Sequence, residues 1–267
     1  MQNFTLITGS TGGLGRAFVY ECAKRGDNLF LTGTNVQRLE KIEIDVKKDF
    51  PQIKVVSKTC DLSQQVQRQE LIDYFNQNNV CVNCLINNAG YIIEGELLSL
   101  EDEQVIRAIR VNCEGTIDLT QKIIKARNKN QKLNIITVSS MAGDYPMPNM
   151  SIYSATKAML TNFMIALADE LKDQNIVITT ICPSGIPTTP AMKDAIKAQG
   201  VGGKITMCQP EQVAKIALKA NKRKKVVVIP KLINKMVNFF SIFLTRKQLA
   251  RIVGKRWKKA NKKRKIV

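Results

Sequence analysis

The chain has 267 residues, 44% hydrophobic and 24% charged, a composition that excludes wholesale disorder and suits one large domain with an appendage. Its formal net charge of +19 is concentrated at one end: residues 222–267 hold 17 Lys and Arg and no acidic residue, while the remainder is near neutral. Seven cysteines in apolar contexts, no basic leader running into an apolar stretch, and no run of roughly 18 apolar residues argue against a disulfide framework and a spanning helix, and for a cytoplasmic compartment.

In chain order, strands are predicted at Phe4–Thr8, Leu29–Thr32, Lys54–Ser57, Cys84–Ile86, Asn134–Val138, Val177–Ile181 and Val226–Ile229. Amphipathic helical stretches lie between them at Leu14–Arg25, Val36–Lys48, Gln67–Gln77, Asp102–Arg127 and Ser154–Lys172. This alternation predicts repeated βαβ units with right-handed crossovers: an α/β fold with a doubly wound parallel sheet of about seven strands over residues 1–230, followed by a helical extension over 231–267.

The first strand runs into Thr8-Gly9-Ser10-Thr11-Gly12-Gly13-Leu14-Gly15 and then a helix. Glycines there let the backbone turn tightly and approach a pyrophosphate, and the helix N-terminus offers unpaired N–H groups. A tight turn without a ligand is the plainer reading. The position at the first βα turn favours a Rossmann-type dinucleotide site. After the second strand, Leu31-Thr32-Gly33-Thr34-Asn35 lacks the carboxylate that would hold a ribose 2′-OH, while Arg16 and Arg38 are near enough in sequence to meet a 2′-phosphate. NADP is therefore favoured over NAD, with NAD left open because Thr34 is not basic.

Tyr153 and Lys157 are four residues apart on a predicted helix and share a face. An ammonium beside a phenol favours the phenolate, which brings an otherwise weak acid toward neutral pH. Such a pair is common on amphipathic helices and gains meaning only from company. Thirteen residues upstream of Tyr153, a strand ends at Ser139-Ser140, where a hydroxyl can bond a carbonyl oxygen as it gains charge. Asn87-Asn88-Ala89-Gly90 ends another strand, and Asn112 sits inside a helical stretch, where Asn is mildly unfavourable without a task.

On these residues the chain resembles the short-chain dehydrogenase/reductase family over roughly residues 4 to 230. Gly9, Ser10, Thr11, Gly13, Leu14 and Gly15 match its cofactor turn, with Thr34 following the second strand. Asp61 and Leu62 match its adenine contact, and Asn88, Ala89 and Gly90 its cofactor-facing motif. Asn112, Ser140, Tyr153 and Lys157 fall on its catalytic positions. The resemblance implies carbonyl reduction, or alcohol oxidation, with a nicotinamide cofactor. Tyr153 would be the acid, Lys157 its tuner and a ribose contact, Ser140 the carbonyl donor, and Asn112 the support for a water relay. It also implies a homo-oligomer paired through the helices carrying Asn112 and Tyr153. The chain departs from the family's Pro-Gly after the sixth strand by reading Pro183-Ser184-Gly185, so Ser184 is inserted among the nicotinamide-contact positions Pro183, Gly185 and Ile186.

Three features remain. Cys81-x-x-Cys84 leads into a strand, has no second pair and no His in the chain, and reads as incidental thiols rather than a metal site. Residues 186–208, with a helix at Ala191–Ala198 and then Gly200-Val201-Gly202-Gly203, read as a loop over an apolar, lipid-like substrate. In Leu232–Leu244, nine of 13 residues are bulky and apolar, with Asn234, Asn238, Ser241 and Thr245 forming a narrow polar stripe before the basic run. That tail reads first as an attachment to an anionic membrane surface, next as a segment packed on its own domain or a second subunit, and least as a nucleic-acid arm. A cofactor-binding protein without catalysis is the competing functional class.

Overall fold

The computed structural model describes residues 2–264. All seven predicted strands form: β1 (Gln2–Thr8), β2 (Leu29–Gly33), β3 (Val55–Thr59), β4 (Val80–Asn87), β5 (Leu133–Val138), β6 (Ile176–Ile181) and β7 (Val227–Val228). They make one parallel sheet in the order β3-β2-β1-β4-β5-β6-β7. The order reverses between β1 and β4, and a crevice opens at the carboxyl ends of strands where this happens.

Successive strand residues feed opposite faces, as the two-residue repeat of a strand requires. Leu6, Leu85 and Ile135 join one buried cluster, while their neighbours Ile7, Ile86 and Ile136 join the other. Burying both faces explains why the strands are apolar runs rather than alternating ones. Helices α1 (Gly13–Ala23), α2 (Val36–Asp49) and α9 (Pro210–Lys222) cover the Ile7 side. Helices α3 (Gln65–Gln77), α5 (Thr116–Ala126) and α6 (Ser151–Glu170) cover the Leu6 side.

Three segments depart from expectation. Residues 102–127, predicted as one helix, are α4 (Asp102–Ile109), a π-helical turn (Arg110–Gly115) and α5. The widened turn carries Asn112, and Gly115 meets the Leu62 backbone so closely that any side chain there would collide with it. The glycine-rich stretch after α7 (Pro190–Ala198) is helical, as α8 (Gly200–Thr206), because Gly203 lets it fold back onto the Ile196 carbonyl. The tail forms two helices, α10 (Leu232–Ser241) and α11 (Arg246–Arg264), and both return to the domain. The composition thus divides at residue 230, but the packing continues across it. Among the described residues, no helix is long and apolar enough to cross a membrane.

Candidate active site

A cavity of about 930 Å³ runs from the glycine turn, past the ends of β4 and β5, to the tail helices. Gly9 adopts φ +62°, a left-handed conformation that glycine reaches without cost, and sits against Ala89. A side chain at Gly15 would strike the Gly9 carbonyl. The turn's geometry therefore needs these two glycines for its own packing. Its other property concerns a ligand: α1 starts at Gly12 with no capping side chain and no acid in its first turn. Its leading N–H groups are left to whatever enters the cavity, and a phosphate suits them.

Gly9, Thr11, Gly13, Leu14, Gly15 and Thr34 line this end of the cavity. Asp61, Leu62, Asn88, Ala89 and Gly90 line it next, and Pro183, Gly185 and Ile186 line it beyond β6. Ser10, named with them from the sequence, does not: it is fully buried, and its hydroxyl donates to the Thr32 carbonyl, stitching the turn to β2. Asn88 does two jobs. It faces the cavity, and its amide donates to the Thr8 and Gly9 carbonyls at 2.9 and 3.0 Å, holding the turn closed. Arg16 and Arg38 are exposed and are not among the lining residues, and Asn35 is occupied capping α2.

The chemical end lies where β5 stops and α6 starts. Ser140 caps a short 3₁₀ turn (Met141–Gly143), accepting from the Ala142 N–H at 3.0 Å. Gly143 permits that turn to lie against the α6 backbone at Ala158. Ser140, Tyr153 and Lys157 all line the cavity, with the Ser140 hydroxyl donating to the Pro183 carbonyl at 3.4 Å. The Lys157 Nζ donates to the Val138 carbonyl at 2.9 Å and lies 5.8 Å from the centre of the Tyr153 ring. Burial pulls the Lys157 ammonium down to about 8. Burial also raises the Tyr153 phenol above its ordinary value, with the Ser140 hydrogen bond opposing. Burial thus acts on both groups, and the Lys157 ammonium is engaged by the Val138 carbonyl of β5.

Asn112 is fully buried and is not among the lining residues. Its Oδ1 accepts from the Tyr91 N–H at 2.7 Å, and its Nδ2 donates to the Tyr91 carbonyl at 2.9 Å and to Thr156 at 3.1 Å. Its side chain ties the segment after β4 to α6. A side chain on Gly90 would stand 3.5 Å from the Asn112 Oδ1 and 3.6 Å from the Lys157 Nζ.

Several residues escaped the sequence reading. Arg107 lines the cavity and pairs with Asp61 at 2.7 Å. Burial raises the Asp61 carboxyl, but hydrogen bonds from Ser63 and Arg107 outweigh it and hold it below its ordinary value. Arg68 is 1% exposed; it donates to Asp118 at 2.6 Å and Glu114 at 2.7 Å, and also to the Leu62 carbonyl. Removing its charge leaves two carboxylates and the cavity-lining Leu62 without their shared partner. Arg68→Met is expected to cost about 3 kcal/mol in urea unfolding, and an unchanged midpoint would refute this. The nearby acids Glu114 and Asp118 were the available signal, but nothing in linear spacing links residue 68 to residue 114.

The tail also enters the site. Ile233, Val237, Phe240, Leu249, Val253 and Trp257 line the cavity opposite Met192 and Ile196 of α7. Asn234 is fully buried and donates to Ser184 at 3.1 Å and to the Thr206 carbonyl at 3.0 Å. The inserted Ser184 is therefore one of the residues to which the tail is fastened. Cys84 of the CxxC has its thiol pushed up to about 12 by burial, so it carries no thiolate near neutral pH.

The short chain dehydrogenase family model matches residues 3–200. The chain is 29% identical over 192 residues to the very-long-chain 3-oxoacyl-CoA reductase of Vanderwaltozyma polyspora, covering 67% of this chain and 54% of that protein. It is 27% identical over 194 residues to human 17-beta-hydroxysteroid dehydrogenase type 3, covering 70% of this chain and 60% of that one. It thus spans little more than half the length of these relatives. A solved structure of a short-chain dehydrogenase from Sphingobium yanoikuyae in complex with NADPH superposes with a TM-score of 0.75 at 21% identity, covering 92% of this chain and 97% of that one. With a glycine turn, a Ser–Tyr–Lys cluster on one cavity and a family match over most of its length, the chain belongs to the short-chain dehydrogenase family.

Proposed function

We propose that the protein reduces the carbonyl of a lipophilic substrate, such as a 3-oxoacyl chain or another bulky ketone. The observation that carries this reading is the meeting of Ser140, Tyr153 and Lys157 on one cavity whose far wall is apolar. A bound nicotinamide dinucleotide would supply hydride to the carbonyl carbon. Tyr153 gives its phenolic proton to the carbonyl oxygen, and Ser140 donates a hydrogen bond to that oxygen as charge develops there. Lys157, buried with its ammonium at the cavity wall, steadies the phenolate left behind and the ribose beside it. Asn112 fixes the Tyr91 segment and α6 in place. Gly9, Thr11, Gly13, Leu14 and Gly15, Thr34, Asp61 and Leu62, Asn88 to Gly90, and Pro183, Gly185 and Ile186 would hold the dinucleotide. The relatives' names, a 3-oxoacyl-CoA reductase and a hydroxysteroid dehydrogenase, support an apolar substrate.

NADP is the preferred cofactor in this reading, since the cavity-lining residue directly after β2 is Thr34 rather than a carboxylate that would repel a 2′-phosphate. The exposed Arg16 and Arg38 are the cations within sequence reach of it. NADPH is expected to bind about 10-fold tighter than NADH, and Arg38→Glu to erase most of that difference. Equal affinities in a fluorescence titration would reverse the assignment.

The enzyme would work as a homo-oligomer through α4 and α6, where Ile106, Ile109, Met159 and Ile165 stay exposed. It would sit at the cytoplasmic face of an anionic membrane, attached by residues 231–267. The deciding experiment follows NADPH and NADH absorbance against long-chain 3-oxoacyl thioesters, steroid ketones and small soluble ketones. Turnover of the bulky ketones supports the reading. Tight cofactor binding with no turnover on any of them would favour a non-catalytic binding protein instead.

A further inference from the structure

Helix α10 is built inside out. Its polar stripe faces the protein: Asn234 is fully buried against Ser184 and Thr206, and Asn238 accepts from the Tyr145 hydroxyl at 3.3 Å. Its apolar side faces outward. Phe239 is 57% exposed and Phe243, just past the helix, 70%. The Phe239 ring packs edge-on against those of Phe240 and Phe243, each at 5.6 Å, forming an aromatic cluster on the surface. A helix whose only neighbours were its own domain and water would be turned the other way. Contiguous apolar surface of this kind marks a contact with something else.

Helix α11 identifies that contact. Ten of its 19 residues are Lys or Arg and none is acidic. Those whose exposure is described, among them Arg246, Arg251, Lys255 and Lys259, face solvent. An apolar cluster beside an exposed basic helix matches the interfacial layer of an anionic bilayer, where acyl chains and lipid phosphates lie side by side. A second copy of the chain seated on the same patch would bring two basic helices together. A nucleic acid would meet the cations but leave the phenylalanines in water.

The patch is also the rim of the cavity. Met236, Val237, Phe240 and Leu244 are 37–61% exposed and line the cavity as well. The apolar residues of α10 are thus shared between the outer patch and the cavity that also holds Tyr153. We infer that α10 and α11 dock on an anionic bilayer with the cavity mouth against it, so that an apolar ketone passes from the lipid into the site without crossing water. This rests on the lipophilic substrate proposed above and adds the route by which that substrate arrives.

The test uses the full chain and two variants. F239S/F243S alters two phenylalanines that do not line the cavity; a second variant replaces Lys255, Lys258 and Lys259 by Gln. Flotation is measured on vesicles of phosphatidylcholine alone and of phosphatidylcholine with phosphatidylserine. Turnover is measured on a small soluble ketone and on a long-chain ketone dissolved in the vesicles. The native chain is expected to float with the anionic vesicles, and less so as salt rises. Both variants should bind them about 10-fold more weakly or worse. Both should keep native turnover of the soluble ketone, while turnover of the vesicle-borne ketone falls with binding.

Absence of flotation overturns the inference, as does a dimer that F239S/F243S dissolves in place of vesicle binding. Flotation with undiminished turnover of the vesicle-borne ketone by the unbound variants overturns the loading route. Failure of the reductase reading looks different: the native chain turns over neither ketone, and flotation alone then decides the docking surface.

Discussion

Tyr153→Phe is expected to lower ketone turnover about 10³-fold while leaving cofactor affinity unchanged. The substitution removes one hydroxyl and keeps the ring, so the cavity wall and the start of α6 are preserved. What is lost is the proton for the carbonyl oxygen. Burial holds the phenol protonated at neutral pH, which is the form a reduction consumes. Steady-state rates with NADPH in excess, together with a cofactor titration, separate the two effects. Turnover within a few-fold of native would remove Tyr153 as the acid.

Lys157→Met is expected to abolish turnover and yet stabilise the folded chain at pH 7. Lys157 is 4% exposed and its Nζ has the Val138 carbonyl as its hydrogen-bond partner. Burial depresses its pKa to about 8 from an ordinary 10.5. Between these values the folded chain binds fewer protons than the unfolded one, so native stability rises with pH across that interval. Below about pH 8 the folded state bears the full cost of a buried charge. Methionine fills similar space without that charge and gives up one hydrogen bond, a net gain on the order of 2 kcal/mol at pH 7. The gain should shrink as pH rises from about 8 to 10.5. Thermal unfolding of both proteins at pH 7 and at pH 10 checks the sign, and a variant less stable than native at pH 7 would refute it. On the proposed mechanism its charge would serve the reacting end of the cavity at a cost in stability.

Much of the site was legible because its parts are local. The glycine turn is eight consecutive residues between a strand and a helix, and Tyr153 and Lys157 are one helical turn apart. Those arrangements follow from backbone geometry and need no knowledge of distant chain. The misreadings share the opposite property. Ser10 carries a hydroxyl in the right motif, but which side of the turn it faces depends on β2 lying alongside. Asn112 was placed correctly in a helical stretch, but its commitment to Tyr91 and Thr156 spans 21 and 44 residues. The tail was legible as amphipathic and basic, but its orientation was not, since the buried partners of Asn234 lie 28 and 50 residues away.

The strand and helix pattern, the parallel sheet and the residue types of the candidate site were therefore determined by the sequence alone, because each depends on spacings of two to four residues. The outline of the cavity, the depressed Lys157 and the closing of the far wall by α10 and α11 were decided only by tertiary structure. Desolvation and wall-building depend on what the rest of the chain places alongside, and no local spacing records that.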